Sequence, residues 1–206
     1  LWEGDGVFSE EAPDIRYKTK TMVLGCGYGV GFKRFASISG MSEKEAEECV
    51  TMYRNYMPKV VRLWNKLTRS VHLCYANRTP FNYELPSGRV LDYGYIQASL
   101  VNGRREYYAK IFKGAKRIPM KLWGGLVAEN LSQALARDVF ASILVRLEEA
   151  GHKIILHVHD EVVIECKEEE ADKVLQDTLS IMSSPPSWIP ELPIQGEGKI
   201  VNQYEK

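Results

Sequence analysis

Three consecutive ionisable residues, His159-Asp160-Glu161, stand between two short apolar runs at 154–158 and 162–164. Charged groups beside a buried hairpin cost free energy unless they are paired, solvated or bound to a metal. The corner could therefore hold a divalent cation through its carboxylates. A tight turn whose acids face water is the plain alternative. A second constellation is Arg16, Lys20, Leu24 and Tyr28, which recur every four residues. On a helix each such step drifts only ~40° around the axis, so the four share one stripe. Two cations, an apolar side chain and an aromatic ring form a plausible surface for a triphosphate and a base. A third stripe, Glu129, Gln133 and Arg137, is polar and reads either as a solvated face or as a contact surface.

Charge is segregated along the chain. Between residues 100 and 121 lie seven basic residues (Arg104, Arg105, Lys110, Lys113, Lys116, Arg117, Lys121), opposed only by Glu106 and interleaved with Tyr107, Tyr108 and Phe112. Acid collects at 43–48 and 165–172. Such separation suits a protein with one face toward phosphates, although the net charge is zero. A solvated basic loop is the competing reading.

The elements that must position these residues follow from periodicity. Residues 14–24 read as a helix running into Gly25-Cys26-Gly27-Tyr28-Gly29-Val30-Gly31. That run is not a dinucleotide or phosphate loop. G-x-G-x-x-G would need glycine where Val30 or Phe32 stands, and no G-x-x-x-x-G-K-[ST] is present. It reads as a helix-to-helix turn. Ser42-Glu43-Lys44-Glu45 is a capping box opening a helix that Pro58 breaks or restarts, followed by a helix with Val60, Val61, Trp64, Leu67 and Val71 as core. Residues 79–99 read as a β-excursion turning at Pro86-Ser87-Gly88. A long helix spans 126–150, with Val127, Leu131, Leu135, Val139, Ile143 and Leu147 as its buried stripe and Gly151 as its stop. Two strands meeting at Asp160 follow. A surface helix is expected at 168–182, and a strand near Ile200-Val201.

Composition bounds the class. The 206 residues are 45% hydrophobic and 26% charged, ordinary values for a globular protein with a sizeable core. No apolar run is long enough to span a bilayer, and Leu1 to Asp5 carries acid where a signal peptide needs basic residues. Four scattered cysteines form no Cys-x-x-Cys pair, which argues against structural zinc and a disulfide framework and makes free thiols in the cytoplasm the expectation. A start without Met points to a fragment.

Taken together, the motifs resemble the family A DNA polymerases, the relatives of DNA polymerase I, in their phage-type form. His-Asp-Glu between apolar strands resembles that family's third polymerase motif. Arg16, Lys20, Leu24, Gly25, Tyr28 and Gly29 resemble its second, with Leu24 where the family usually has Phe or Tyr, a ring that packs on the incoming sugar. The segment from Glu129 to Asp138 resembles the palm helix, and Leu85-Pro86-Ser87-Gly88-Arg89 and the Pro-Trp, Leu-Pro tail resemble phage-type members. The resemblance covers nearly the whole chain. It implies that Asp160 holds catalytic Mg2+, with Glu161 and Lys20 completing the catalytic set. It also implies that Arg16 and Lys20 hold the nucleotide phosphates, with Leu24 and Tyr28 beside the sugar and nascent base pair. Gln133 would reach the DNA minor groove and His159 the primer terminus, although a structural role for His159 stays open. Arg104, Arg105 and Lys110 from the basic segment are added as DNA contacts. Gly125 and Glu129 stand where bacterial members carry Arg and Asn, so those contacts do not transfer.

The expected architecture is α+β: helical fingers with a β-excursion (1–118), then the C-terminal part of a palm with a small antiparallel sheet (119–206). That sheet is expected to lack strands and to leave an edge exposed. The family's first motif, Asp-Tyr-Ser with a downstream Glu, is not found. Asp92-Tyr93-Gly94 has Gly for Ser and falls after the nucleotide helix. The chain is thus read as a fragment of a DNA-directed DNA polymerase that adds dNTPs to a primer 3′-end by two-metal chemistry, expected to be inactive alone. Its partners would be primer-template DNA, dNTP and an upstream palm and thumb portion, with no membrane, in the cytoplasm of a bacterial or phage-infected cell. The alternative is a non-catalytic nucleic-acid or nucleotide-binding module, and a third reading is a structural relic.

Overall fold

The structure, a computed structural model, describes residues 13–204. The opening stretch weighed as a signal peptide lies outside them. The protein is α+β, built from helices and small antiparallel sheets. Four helices come first: α1 (Pro13–Gly27), α2 (Phe32–Ser39), α3 (Glu43–Tyr56) and α4 (Pro58–Asn77). Ser42 caps α3 as its sequence requires, with Glu45 N–H donating to Ser42 Oγ at 3.3 Å and Ser42 N–H to Glu45 Oε2 at 3.0 Å. Pro58 restarts the chain at the first turn of α4, where its missing N–H costs nothing.

Five strands follow: β1 (Pro80–Glu84), β2 (Val90–Tyr95), β3 (Gln97–Val101), β4 (Arg104–Lys113) and β5 (Lys116–Leu122). β1 pairs with β2, and β3-β4-β5 form a second antiparallel sheet. The β-excursion is therefore longer than the 79–99 read from sequence, and the basic segment is strand rather than loop. The reason is turn chemistry. Asn102 and Gly103 both have positive φ (+50° and +74°), which fits a type I′ hairpin, and Gly114 (φ +61°) opens the two-residue turn into β5.

Then come α5 (Gly124–Glu149), β6 (Lys153–Val158), β7 (Glu161–Glu165), a single 3₁₀ turn at Glu168–Glu170 and α6 (Ala171–Met182). Packing divides the chain into two compact units. The first takes residues up to Tyr83 with Val90–Leu131, and the second takes Glu84–Arg89 with the chain from Ser132 onward. The boundary read at 118/119 falls inside β5.

In the first unit, Phe35, Leu67, Val71 and Val127 are among the most deeply buried side chains. In the second, Val139, Ile143 and Leu147 of α5 form a core on which Ile154, Val162 and Ile164 of the β6-β7 hairpin pack, together with Trp188, Ile189 and Leu192 of the tail. No strand forms near Ile200-Val201. Pro190, Pro193, Gly196 and Gly198 disfavour a ladder, and Ile200 and Val201 stay about half exposed (49% and 48%), with no face to bury. The tail instead lies along α6, where a Cβ on Gly196 or Gly198 would come within 2.9 Å of Met182 or 2.8 Å of Leu175.

Candidate functional site

The residues singled out from sequence fall in both units. In the first unit, Arg16, Lys20 and Leu24 line the exposed side of α1, and Tyr28 is half-buried just past its end. Leu24 is 54% exposed whereas Cys26 is 2% exposed, so the four-residue stripe is the solvent side of α1 rather than its core side. Burial pushes the Cys26 thiol above its ordinary pKa, with Cys49 adding to the shift, so this cysteine is an inert core residue.

The glycines that end α1 serve packing. A Cβ on Gly25 would sit 3.3 Å from the Phe35 ring, and Gly29 takes φ +79°. Trp64 Nε1 donates to the Gly27 carbonyl at 3.1 Å, satisfying one of the acceptors a helix end leaves open. Arg54 Nη2 donates to the Val30 carbonyl at 3.3 Å. At the start of α5, a Cβ on Gly124 would lie 1.9 Å from the Trp64 carbonyl oxygen, and one on Gly125 would lie 2.0 Å from that of Tyr28. The helix thus begins two residues earlier than the apolar pattern indicated, because only glycine lets its backbone touch these carbonyls. The Tyr28 backbone packs against the start of α5 at that point.

The basic segment splits by face. Residues directly opposite in an antiparallel pair share a side. Phe112 faces Arg117, Lys110 faces Pro119, and Tyr108 faces Lys121. Arg104, Glu106, Tyr108, Lys110 and Phe112 therefore lie on one face of β4, and Arg105 and Tyr107 on the other. Tyr107 stacks on His72 of α4 (centroids 4.3 Å apart), and Arg105 lies over the Tyr75 ring at 5.9 Å. Of the three cations singled out here, Arg104 and Lys110 share the outer face and Arg105 does not. Glu106 accepts from Lys121 and from Tyr108 Oη, and these bonds hold its carboxyl below the usual carboxylate range.

In the second unit, Asp160 sits in the two-residue turn closing β6 and β7, between paired Val158 and Glu161. His159, the other turn residue, has φ +54°, a left-handed conformation that glycine more often supplies. The hairpin is anchored by its inward residues, with a bulge between Ile154 and Leu156 that turns His157 toward the edge of the Phe140 ring (centroids 5.9 Å apart). His159, Asp160 and Glu161 are exposed. Among the described residues, nothing pairs with the Asp160 carboxylate. Glu161 Oε2 accepts from Tyr204 Oη at 3.3 Å, and desolvation together with that carboxylate raises the Tyr204 pKa. Gln133 and Arg137 are exposed on α5.

Asp160 supplies one hard, exposed oxygen ligand of the kind Mg2+ takes. Among the described residues, no group of three or more His, Cys, Asp or Glu side chains comes together to hold a metal ion. The donor set present thus fits one arm of a two-ion centre and not the whole of it. Asp92 Oδ1 accepts from Gly94 N–H at 2.7 Å, a local turn bond within β2.

The Leu85-Pro86-Ser87-Gly88-Arg89 turn has a structural task. In the structure it docks on α5. Ser87 Oγ donates to Asp138 Oδ2 at 2.5 Å, Arg89 Nε to Asp138 Oδ1 at 2.8 Å, and Arg89 Nη2 to the Ala134 carbonyl at 2.8 Å. This clamps the helix beside the Gln133 and Arg137 stripe. The available signal was an acid, Asp138, at the margin of a buried stripe, which demands a partner.

A sequence model of DNA polymerase family A matches residues 5–206. The DNA polymerase of Bacillus phage SP02 is 30% identical across 93% of this chain, covering 33% of that protein. The thermostable DNA polymerases I of Thermus filiformis and Thermus aquaticus are 26% and 25% identical, across 78% and 82% of this chain and 17% and 18% of their own lengths. The chain therefore spans a third or less of the curated relatives it matches. With residues 5–206 inside the family match, the chain belongs to DNA polymerase family A.

Proposed function

We propose that this chain supplies the fingers and the C-terminal part of the palm of a DNA-directed DNA polymerase that adds dNTPs to a primer 3′-end. The fingers are the portion before α5, and the palm portion runs from α5 on. The observation that carries the reading is the exposed, unpaired carboxylate of Asp160 at the tip of a hairpin anchored in the α5 core, in a chain of this family. Asp160 is proposed as a ligand of Mg2+, with Glu161 beside it and further carboxylates from an upstream palm and thumb portion. Magnesium held there would lower the pKa of the primer hydroxyl and neutralise the triphosphate. Arg16 and Lys20 would bind the phosphates as charge-assisted donors, Leu24 would face the sugar and Tyr28 the nascent base pair. Gln133 and His159 are proposed to contact the primer-template, and Arg104, Arg105 and Lys110 to contact DNA phosphates. No helix among the described residues is long and apolar enough to cross a membrane, and the cytoplasm of a bacterial or phage-infected cell is the proposed location.

Magnesium-dependent primer extension tests this, with Asp160→Ala as control. The polymerase reading expects no extension by these residues alone. Joined to the missing palm and thumb portion, they should extend the primer, and Asp160→Ala should abolish extension while DNA binding persists. The basic outer face of β4 and β5 favours a second reading, a binding module without chemistry. That reading expects salt-sensitive DNA binding and no extension in any combination.

A further inference from the structure

The outer face of the β3-β4-β5 sheet is unlike a simple solvated surface. Four cations reach it: Arg104, Lys110, Arg117 and Lys121. Its acid, Glu106, is already taken by Lys121 and Tyr108. Beside the β4-β5 turn, Phe112 is 67% exposed, which is costly for a phenyl ring. Arg117 lies over that ring with its guanidinium carbon 4.7 Å from the centroid, so a cation sits on one face of the ring. The opposite face of the same sheet is the one that packs: Ala109 and Leu122 are buried there, and Tyr107 stacks on His72. The sheet is thus held from behind and open in front.

We infer that this outer face is a binding platform for single-stranded DNA, with Phe112 stacking on an unpaired base while Arg104, Lys110 and Arg117 follow the phosphates. Bases in a duplex are already stacked and offer no free face to a phenyl ring, so an exposed aromatic among cations is of more use to a single strand than to a duplex. An acidic protein segment would meet the charge but would leave Phe112 without a flat partner. A β-face also spaces its side chains regularly, two residues apart, which suits an extended strand. The platform itself does not require the polymerase reading. Identifying its ligand as the unpaired template ahead of the primer does rest on that reading.

The test is fluorescence anisotropy of a labelled oligo(dT) and a labelled blunt duplex against the full chain and its variants. Phe112→Ala should weaken oligo(dT) binding about tenfold, Phe112→Trp should restore it, and neither should change duplex binding. Lys110→Glu with Arg117→Glu should flatten the salt dependence as well. Because Phe112 is largely exposed, unchanged thermal melts in these variants would separate lost binding from lost folding. Wild-type affinity for oligo(dT) in the Phe112→Ala variant, equal losses on duplex and single strand, or no wild-type oligo(dT) binding would each overturn the platform. Arg16→Ala with Lys20→Ala serves as the separate control. If it weakens dNTP binding while the Phe112 variants are silent, the polymerase reading stands and the platform falls. The reverse pattern leaves the platform standing without it.

Discussion

His159 carries backbone strain at the point where the chemistry is proposed. A non-glycine residue at φ +54° costs about 1 kcal/mol in the left-handed region, somewhat less for His than for most. His159→Gly is therefore expected to raise stability by up to about 1 kcal/mol in urea unfolding, while weakening primer extension in the joined polymerase. Unfolding at lower urea than wild type would mean instead that the imidazole packs on the hairpin. Asp138 gives a contrasting case. Its side chain is 13% exposed and accepts from Ser87 and Arg89, the latter 45% exposed. Asp138→Ala should cost about 1–2 kcal/mol, a charge-assisted bond discounted for the solvent around Arg89. A double-mutant cycle with Arg89→Ala should return a coupling of no more than about 1 kcal/mol. Strict additivity would remove the clamp from the account.

Among the elements, the start of α5 is the tightest joint in the first unit. Gly124→Ala or Gly125→Ala would drive a methyl group to within 1.9–2.0 Å of a carbonyl oxygen, and backbone cannot yield as a side-chain tip can. Each should destabilise by roughly 3 kcal/mol or more, at the upper end of overpacking costs. Gly103→Ala meets no atom within 4 Å but sits at φ +74°, so only the conformational cost of about 1 kcal/mol applies. Comparing thermal melts of the three variants separates collision from strain. In the β4-β5 sheet, the lowered pKa of Glu106 sets a sign. Its stabilising contribution is present above the ordinary carboxylate pKa and is lost as pH falls through the lowered one. Wild type and Glu106→Gln should therefore differ in unfolding midpoint at neutral pH and converge in acid.

For the molecule as a whole, zero net charge conceals a segregation of charge along the chain. Acidic segments lie at 43–48 and 165–172, and basic side chains gather on one sheet face and on the exposed side of α1. Affinity for single-stranded DNA should fall with salt at a slope of about −2 on a log-log plot, some 0.7 for each of the three cations on the platform that no acid pairs. A slope near zero would show that bulk neutrality, rather than its local arrangement, governs DNA binding. The second unit contains a two-stranded sheet, β6-β7, whose outer edges are unpaired among the described residues. That accords with the exposed edge expected from sequence, and it is the natural seam for the proposed upstream palm portion.

Local rules were enough for much of this. The capping box at Ser42, the restart at Pro58, the buried four-residue stripe of α5 and the hairpin around Asp160 are all set by neighbours within a few residues, so the sequence alone determined them. It also pointed to the family, because each motif is a short local pattern of residue types and spacing. The Asn102-Gly103 turn is equally local, since both of its residue types favour the positive φ it takes. Tertiary structure decided the rest. Which of Arg104, Arg105 and Lys110 share a face depends on strand pairing. Gly124 and Gly125 have meaning only against Trp64 and Tyr28, more than fifty residues away. Asp138 finds Ser87 and Arg89, and Glu161 finds Tyr204, across comparable separations. Ile200-Val201 has the side chains of a strand but no ladder to join. In each case the deciding atom belongs to a remote part of the chain, and no propensity or spacing encodes where folding will bring it.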